Sequence, residues 1–461
     1  MKHLFAAMAS SLVLAACTTV PSVAPMTDGL TPSPYVKLDH PDWSRDAVIY
    51  EVNVRQYSDA GTFDAVREDL PRLKELGVDI LWLMPIHPIG ELNRKGTMGS
   101  YYSVKDYFGV NPEFGTKDDF KRFVDAAHAQ GFKVILDWVA NHTAWDHPLA
   151  TSNPDWYEKD WKGDFRPTPW WDWSDIIDLD FSQPGVRQHM SDAMTYWVEE
   201  FGIDGYRADV AGYVPLDFWE GVRARLDAIK PVFMLAEWQT RDLHARAFDA
   251  TYAWEWKEGM QRIAKGEADT GALYGYYSAN ESAWPRDAMR MTYTDNHDQN
   301  SWDGLPQEIY GEAYEVAIVL QFTGEGIPLI YSGQECLNPN RLEFFEKDPI
   351  VWDCDAAVNA LFRDLVQLKT DNPVLHNGAW GATTTKVENS NAQKVFSFIR
   401  RNDAGEAVLV VANLSDTPQS FAFSDALPHG DYTTFRTNES ITIGAETRRL
   451  PAWGWSIYVR R

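Results

Sequence analysis

Cysteine is scarce in this chain, with Cys17, Cys336 and Cys354 the only three among 461 residues. No disulfide framework can therefore hold so large a fold, and its stability has to come from buried apolar surface. Basic residues are also in short supply, 42 against 67 acidic ones, which leaves a net charge of −25. That charge repels nucleic acid and anionic substrates, so no nucleic-acid partner is expected and a neutral substrate is the better match. Long apolar runs are confined to one place, Leu4 to Ala16, interrupted only by Ser10 and Ser11. This run is too short for a membrane-spanning helix. Internal repeats and low-complexity tracts are missing as well. What the chain does have is 44% hydrophobic residues, enough for more than one core, and a heavy aromatic load of 20 Trp and 20 Tyr. Flat amphipathic rings of this kind stack well on the apolar faces of sugars, although any single Trp is more often a core residue.

Lys2 and His3 followed by the apolar run have the layout of an export signal. Leu14-Ala15-Ala16-Cys17 resembles the lipobox of bacterial lipoproteins. The resemblance implies a signal peptide over 1–17, a mature chain that starts at Cys17, and a membrane partner reached through lipid on that residue. An ordinary secretory leader containing a Cys is the alternative. The Pro-, Ser- and Thr-rich stretch that follows reads as a flexible tether, 18–44. The expected location is the bacterial cell envelope, on the periplasmic or cell-surface side. Cys336 and Cys354 are then left over, and their spacing does not decide whether they pair.

From Ala47 onward strand-like and helix-like segments alternate, the pattern of parallel strands joined by crossover helices. Strands are expected over 48–53, 79–84, 133–138, 202–209, 232–237, 248–253, 288–294 and 327–331. Helical spacing occupies 63–76, 117–130, 215–229, 309–322 and 356–370. Eight strands with alternating helices predict an α/β fold, a (β/α)8 TIM barrel over 45–376. The stretch from Asp137 to Asp209 far exceeds that from Asp209 to Glu237, which has the ~30-residue length of a plain βαβ unit. A short inserted lobe, 143–183, is therefore expected after strand 3, and it is rich in Trp. After about Asn377 the pattern changes to short alternating strands, including 394–400, 407–413, 419–423 and 456–460. These predict a C-terminal all-β sandwich over 377–461.

Four stretches end strand-like runs with polar residues: Asp137-Trp-Val-Ala-Asn-His142, Gly205-Tyr-Arg-Ala-Asp209, Ala236-Glu237-Trp238 and Thr294-Asp-Asn-His-Asp298. A carboxylate at the end of a buried strand costs several kcal/mol unless partners offset it. Several in one chain point to acid/base chemistry rather than accident. Arg207 stands two residues before Asp209, on the same strand face, where it can hold that carboxylate ionised.

In this order and on these strands, the four stretches resemble the signature regions of the α-amylase superfamily, the retaining α-glucan-acting glycoside hydrolases of family thirteen. Gly96 to Tyr107 and Ile177 to Asp180 resemble further segments of that family, and the likeness spans about residues 45 to 461. The resemblance implies Asp209 as nucleophile, Glu237 as general acid/base and Asp298 as the carboxylate that grips substrate hydroxyls. Two carboxyls near one anomeric carbon are what a retaining glycosidase requires, with a proton kept on one of them. By the same resemblance His142 and His297 donate to sugar hydroxyls, Tyr102 stacks under the sugar, and Asp137 orients Arg207. His87, without such context, is read as structural. Where many relatives carry Lys-His after the nucleophile this chain has Gly212 and Tyr213, which puts leaving-group binding through that Lys in doubt. Asn141 matches a calcium-ligand Asn, so a structural calcium is a possibility, although calcium takes six to eight oxygens and the chemistry needs no cofactor.

The expected activity is cleavage of α-glucosidic bonds in starch-type glucans or maltooligosaccharides through a covalent glycosyl-enzyme. A transglycosylase with the same carboxylates and a non-catalytic glucan-binding protein are the alternatives. Specificity is expected to depend on the Trp-rich lobe and the loop 333–348, where Arg341, Glu343 and Glu346 are candidates to meet a sugar.

Overall fold

The computed structural model describes residues 34–461. The leader, the lipobox with Cys17 and most of the tether lie outside the described residues. Val36–Arg461 forms one compact unit. No helix among the described residues is long and apolar enough to cross a membrane.

Eight parallel strands close into a barrel in the order 1-8-7-6-5-4-3-2. They are Ile49–Val52, Ile80–Leu83, Lys133–Trp138, Gly205–Ala208, Phe233–Ala236, Ala250–Tyr252, Met289–Thr292 and Ile327–Tyr331. Each falls within a segment expected from the sequence. The helices follow the expected spacing with two breaks. The helix expected over 63–76 is two, Phe63–Glu68 and Leu70–Leu76, because Pro71 cannot donate to the carbonyl four residues back. The one expected over 309–322 is likewise two, Pro306–Tyr310 and Tyr314–Thr323, interrupted where Gly311 turns to φ +52°.

Inward-facing residues alternate along each strand. Ile49, Ile80, Phe233, Leu235, Met291 and Leu329 fill the barrel interior. Above that apolar layer the inward positions turn polar, with Glu51, Asp137 and Arg207 fully buried. Such groups persist only when paired with one another.

The inserted lobe opens and closes on a two-stranded antiparallel ribbon, His142–Ala144 with Ile176–Asp178. Its Trp residues do not act alike. Trp161 and Trp170 are 89% and 99% exposed, whereas Trp145 donates to the carbonyl of Ser174. After strand 8, Cys336 and Cys354 form a disulfide across the loop that follows.

The C-terminal region is all-β and antiparallel, a six-stranded sheet beside a two-stranded one. Among its strands, Thr384–Lys386, Gly430–Thr434, Ser440–Ile443 and Arg448–Leu450 were not marked by the sequence pattern. They are short, and little apolar alternation distinguishes them from turns. Val395, Leu409, Val411, Phe421 and Leu450 make a core of their own. The opposite face, with Phe396, Phe398 and Val410, merges into the main core, where Tyr274 and Tyr277 of the barrel helices meet Phe396.

Candidate active site

At the C-terminal mouth of the barrel lies a cavity of about 360 Å³, lined by Tyr102, His142, Asp209, Glu237, His297 and Asp298 among others. Active sites of such barrels are built at this mouth. Asp137 and Arg207 lie beneath it, fully buried. A wider groove of about 1180 Å³, between the last barrel helix and the C-terminal sheet, contains none of these residues. Chemistry, not volume, therefore marks the site.

Arg207 is its hub. Strand 4 can pack closely on strand 5 because it starts with a glycine: at Gly205, φ +148°, a Cβ would fall 1.9 Å from the carbonyl oxygen of Phe233. The register sets Arg207 beside Asp137 on strand 3. Its Nη1 donates to Asp137 Oδ1 at 2.8 Å and to Asp209 Oδ1 at 3.0 Å. Nη2 lies 3.1 Å from Glu237 Oε2, an ion pair that is not aligned as a hydrogen bond. Asp137 also accepts from Trp82 Nε1 at 3.1 Å and from the Tyr102 hydroxyl at 3.0 Å. Burial alone would weaken the hold of Arg207 on its proton, but Asp137 and Glu237 outweigh it and keep the guanidinium charged.

The segment after Asp209 bends sharply. Val210 sits at φ 35° and ψ 48°, a left-handed conformation that a β-branched residue rarely adopts. In that pose its N–H donates to Glu237 Oε2 at 2.7 Å. Two residues on, a Cβ at Gly212 would stand 2.0 Å from the ring of Trp238. The indole thus occupies the space a side chain at 212 would need, which accounts sterically for the missing Lys. The ring of Tyr213 packs against Trp238 at 5.4 Å, and its hydroxyl accepts from Trp171 Nε1 at 3.0 Å.

Burial raises the proton affinity of both Asp209 and Glu237. Glu237 raises Asp209 further, and Asp298 adds to Glu237. The sequence suggested that Arg207 would keep Asp209 ionised while Glu237 alone held a proton. In the structure the guanidinium is shared among Asp137, Asp209 and Glu237, so it does not select one of them. Both cavity carboxyls therefore hold a proton more tightly than an ordinary carboxylate does.

His297 faces the cavity between two partners that the sequence did not join. Its Nδ1 pairs with Glu51 on strand 1, and its Nε2 meets the Tyr102 hydroxyl at 2.8 Å. Burial would lower its pKa, but Asp298 and Glu51 outweigh burial and lift it to about 9, an imidazolium at neutral pH. Glu51 went unnoticed although the signal was present: a Glu in the middle of an otherwise apolar strand, Ile49–Val52. His142 differs, since burial lowers it to about 4 and it stays neutral.

Other candidates lie elsewhere. His87 packs edge-on to Trp138 at 5.4 Å and does not line the cavity. Arg341 donates to the Ser301 carbonyl and Glu346 accepts from Thr97, so the loop after strand 8 presents Phe344 and Phe345 to the cavity instead. Asn141 donates to Asp178 Oδ1 at 3.1 Å and to Thr168 Oγ1 at 3.3 Å. One carboxylate, one amide and one hydroxyl, already bonded to each other, do not fit calcium's demand for six to eight oxygens. Among the described residues no group of three or more His, Cys, Asp or Glu is arranged to hold a metal.

Comparison with known proteins agrees with this geometry. The model of the α-amylase catalytic domain matches residues 44–427. Alpha-amylase MalA of Haloarcula japonica is 32% identical over 400 residues, 82% of this chain and 57% of that protein. The chain thus spans little more than half the length of that relative. A maltosyltransferase of Cereibacter sphaeroides, named for α-1,4-glucan and maltose 1-phosphate, is 35% identical over 351 residues, 66% of this chain and 49% of that protein. A crystal structure of an α-amylase from Lactobacillus plantarum superposes with a TM-score of 0.80 at 34% identity, covering 91% of this chain and all of that one. With its barrel, its strand-end carboxylates and this extent of match, the chain belongs to the α-amylase family and carries that family's catalytic domain.

Proposed function

We propose that the protein is a retaining glycosidase that cleaves α-glucosidic bonds in starch-type glucans or maltooligosaccharides. The observation that carries this reading is that neighbouring nitrogens of the Arg207 guanidinium reach Asp209 at 3.0 Å and Glu237 at 3.1 Å. Both carboxyls thereby face one cavity of sugar-binding size, and retaining chemistry asks for such closeness, about 5–5.5 Å. In this reading Asp209 attacks the anomeric carbon while Glu237 gives its proton to the glycosidic oxygen, and the leaving sugar departs. Water then attacks the same carbon, Glu237 takes a proton from it, and Asp209 is released. Asp298, His142 and His297 bind ring hydroxyls, Tyr102 stacks under the ring, and Asp137 positions Arg207. No metal enters any step.

One observation favours a second reading, transglycosylation. Trp238, next in sequence to Glu237, packs edge-on to Tyr213, whose hydroxyl accepts from Trp171, and in this second reading that aromatic cluster holds the acceptor sugar. Maltoheptaose digestion separates the two readings. Hydrolysis predicts products shorter than the substrate only, at a rate unchanged by EDTA. Products longer than maltoheptaose would move the assignment to transfer, and loss of activity in EDTA would restore calcium. A non-catalytic glucan binder has less support, because all three carboxylates line the cavity.

Export and anchoring belong to the same proposal and rest on Lys2, His3, the apolar run and Leu14 to Cys17. The full-length protein made in a bacterial host is expected to partition into the detergent phase and to incorporate labelled palmitate. Cys17→Ser should leave it unlabelled and water-soluble, and an unlabelled wild type would refute the anchor.

A further inference from the structure

The cavity has two ends, and they are built differently. Glu237 protonates the departing oxygen in the reading above, on which this inference rests, so the leaving chain runs past strand 5. The non-reducing part of the substrate then points across the barrel mouth. The strand order sets strands 8 and 1 diametrically opposite strands 4 and 5, with strand 2 beside strand 1. The loops after strands 2 and 8 therefore stand where the non-reducing chain would continue.

Those loops are tied together, and to the inserted lobe, by one cation. Lys95, in the loop after strand 2, has its Nζ 3.5 Å from Asp172 Oδ1 and 3.7 Å from Asp175 Oδ1 of the lobe. The same Nζ donates to the Asp172 carbonyl and lies 6.0 Å from the centre of the Phe345 ring in the loop after strand 8. Next to it the Thr97 N–H donates to Glu346 Oε1 at 2.8 Å, and the Met98 N–H donates to the Phe345 carbonyl at 3.1 Å. Gly96 makes that approach possible, since a Cβ there would stand 2.5 Å from Phe345 Cβ. On the lobe side Asp175 is 7% exposed at its side chain, and its carbonyl accepts from Ser103 Oγ at 2.9 Å. Lys95, Asp172, Asp175 and Phe345 all line the cavity. Trp171, the neighbour of Asp172 in the lobe, donates instead to the Tyr213 hydroxyl at 3.0 Å.

We infer that the bridge centred on Lys95 closes the non-reducing end of the site, so that the enzyme takes glucan chains by their non-reducing termini rather than in mid-chain. Asp172 is 95% exposed, so the barrier is Lys95 with the buried Asp175: an internal bond would require the chain to pass through that pair, whereas a terminal unit ends against it. The bridge also offers charged hydrogen-bond partners to the terminal hydroxyls.

The test compares a chromogenic maltoheptaoside with the same compound carrying an ethylidene bridge over its non-reducing 4- and 6-hydroxyls. The wild type is expected to cleave the free-ended form about 100-fold faster, in the range that a single misfitting group costs in a closed pocket. Lys95→Met, which keeps the aliphatic stem, and Lys95→Ala should both shrink that ratio about tenfold or more by opening the end. Equal rates on both substrates with the wild type would overturn the closed end. An unchanged ratio in both variants would overturn the role of Lys95. Cleavage of neither substrate by the wild type would remove the glycosidase reading itself, and the inference with it.

Discussion

Asp209→Asn is expected to reduce turnover of maltoheptaose on the order of 10⁴-fold, and Glu237→Gln about 10²–10⁴-fold, with both variants folded as judged by circular dichroism. The two losses have different causes, and α-glucosyl fluoride separates them. Fluoride leaves without a proton, so the glycosylation step should survive in Glu237→Gln and vanish in Asp209→Asn. The opposite pattern would exchange the two roles. The pH profile adds a sign. Burial raises the Glu237 carboxyl, so its proton persists above the ordinary carboxylate range and activity on glucan declines as pH passes the raised value. Glutamine cannot titrate, so that alkaline decline should be missing when Glu237→Gln is assayed on the fluoride.

Arg207→Met is expected to be the most destabilising single change at the site, by about 3–5 kcal/mol in urea denaturation, because it strands buried carboxylates without a cation. Asp137 would keep only Trp82 and Tyr102 as donors. The pH dependence follows from linkage. Without the guanidinium the folded-state pKa values of Asp137 and Asp209 rise further above their unfolded values. The variant therefore comes closest to the wild type below the unfolded carboxylate pKa of about 4. Its deficit widens as pH climbs through the raised folded values. Adding Asp137→Asn should recover part of the loss, since one stranded charge is removed. A single variant as stable as the wild type at neutral pH would mean that the guanidinium is dispensable to the buried network.

The barrel was legible because its strands are uniform apolar runs separated by helical spacing, and Lys133–Trp138 was bounded to the residue. The strand-end carboxylates could be read because stretches such as Arg207-Ala-Asp209 break apolar runs with charge, whereas Tyr102, His142 and His297 came only from the family resemblance. What could not be read depends on contacts distant in sequence. Glu51 stands out as a lone carboxylate in an apolar strand, but its partner His297, 246 residues away, has no sign in the local sequence. The strain at Val210 is a backbone property with no compositional sign, since valine is an ordinary strand residue. The bridge at Lys95 joins segments 77 residues apart in sequence through an unremarkable loop lysine. The reach of the Arg207 guanidinium to Glu237 was likewise invisible, because the sequence joined Arg207 only to Asp209 and, through the family resemblance, to Asp137.

The Cys336–Cys354 bond encircles the stretch that carries Phe344, Phe345 and Glu346. A crosslink over a loop of this size contributes about 3 kcal/mol by limiting the unfolded chain, and here it braces the wall of the sugar pocket rather than the body of the barrel. In a thiol-rich cytosol that brace would be cut and the wall left to its hydrogen bonds with Gln56 and Thr97. The pocket wall is thus fully braced only where oxidants prevail, and reduction of this one bond would loosen the wall while leaving the barrel beneath it intact.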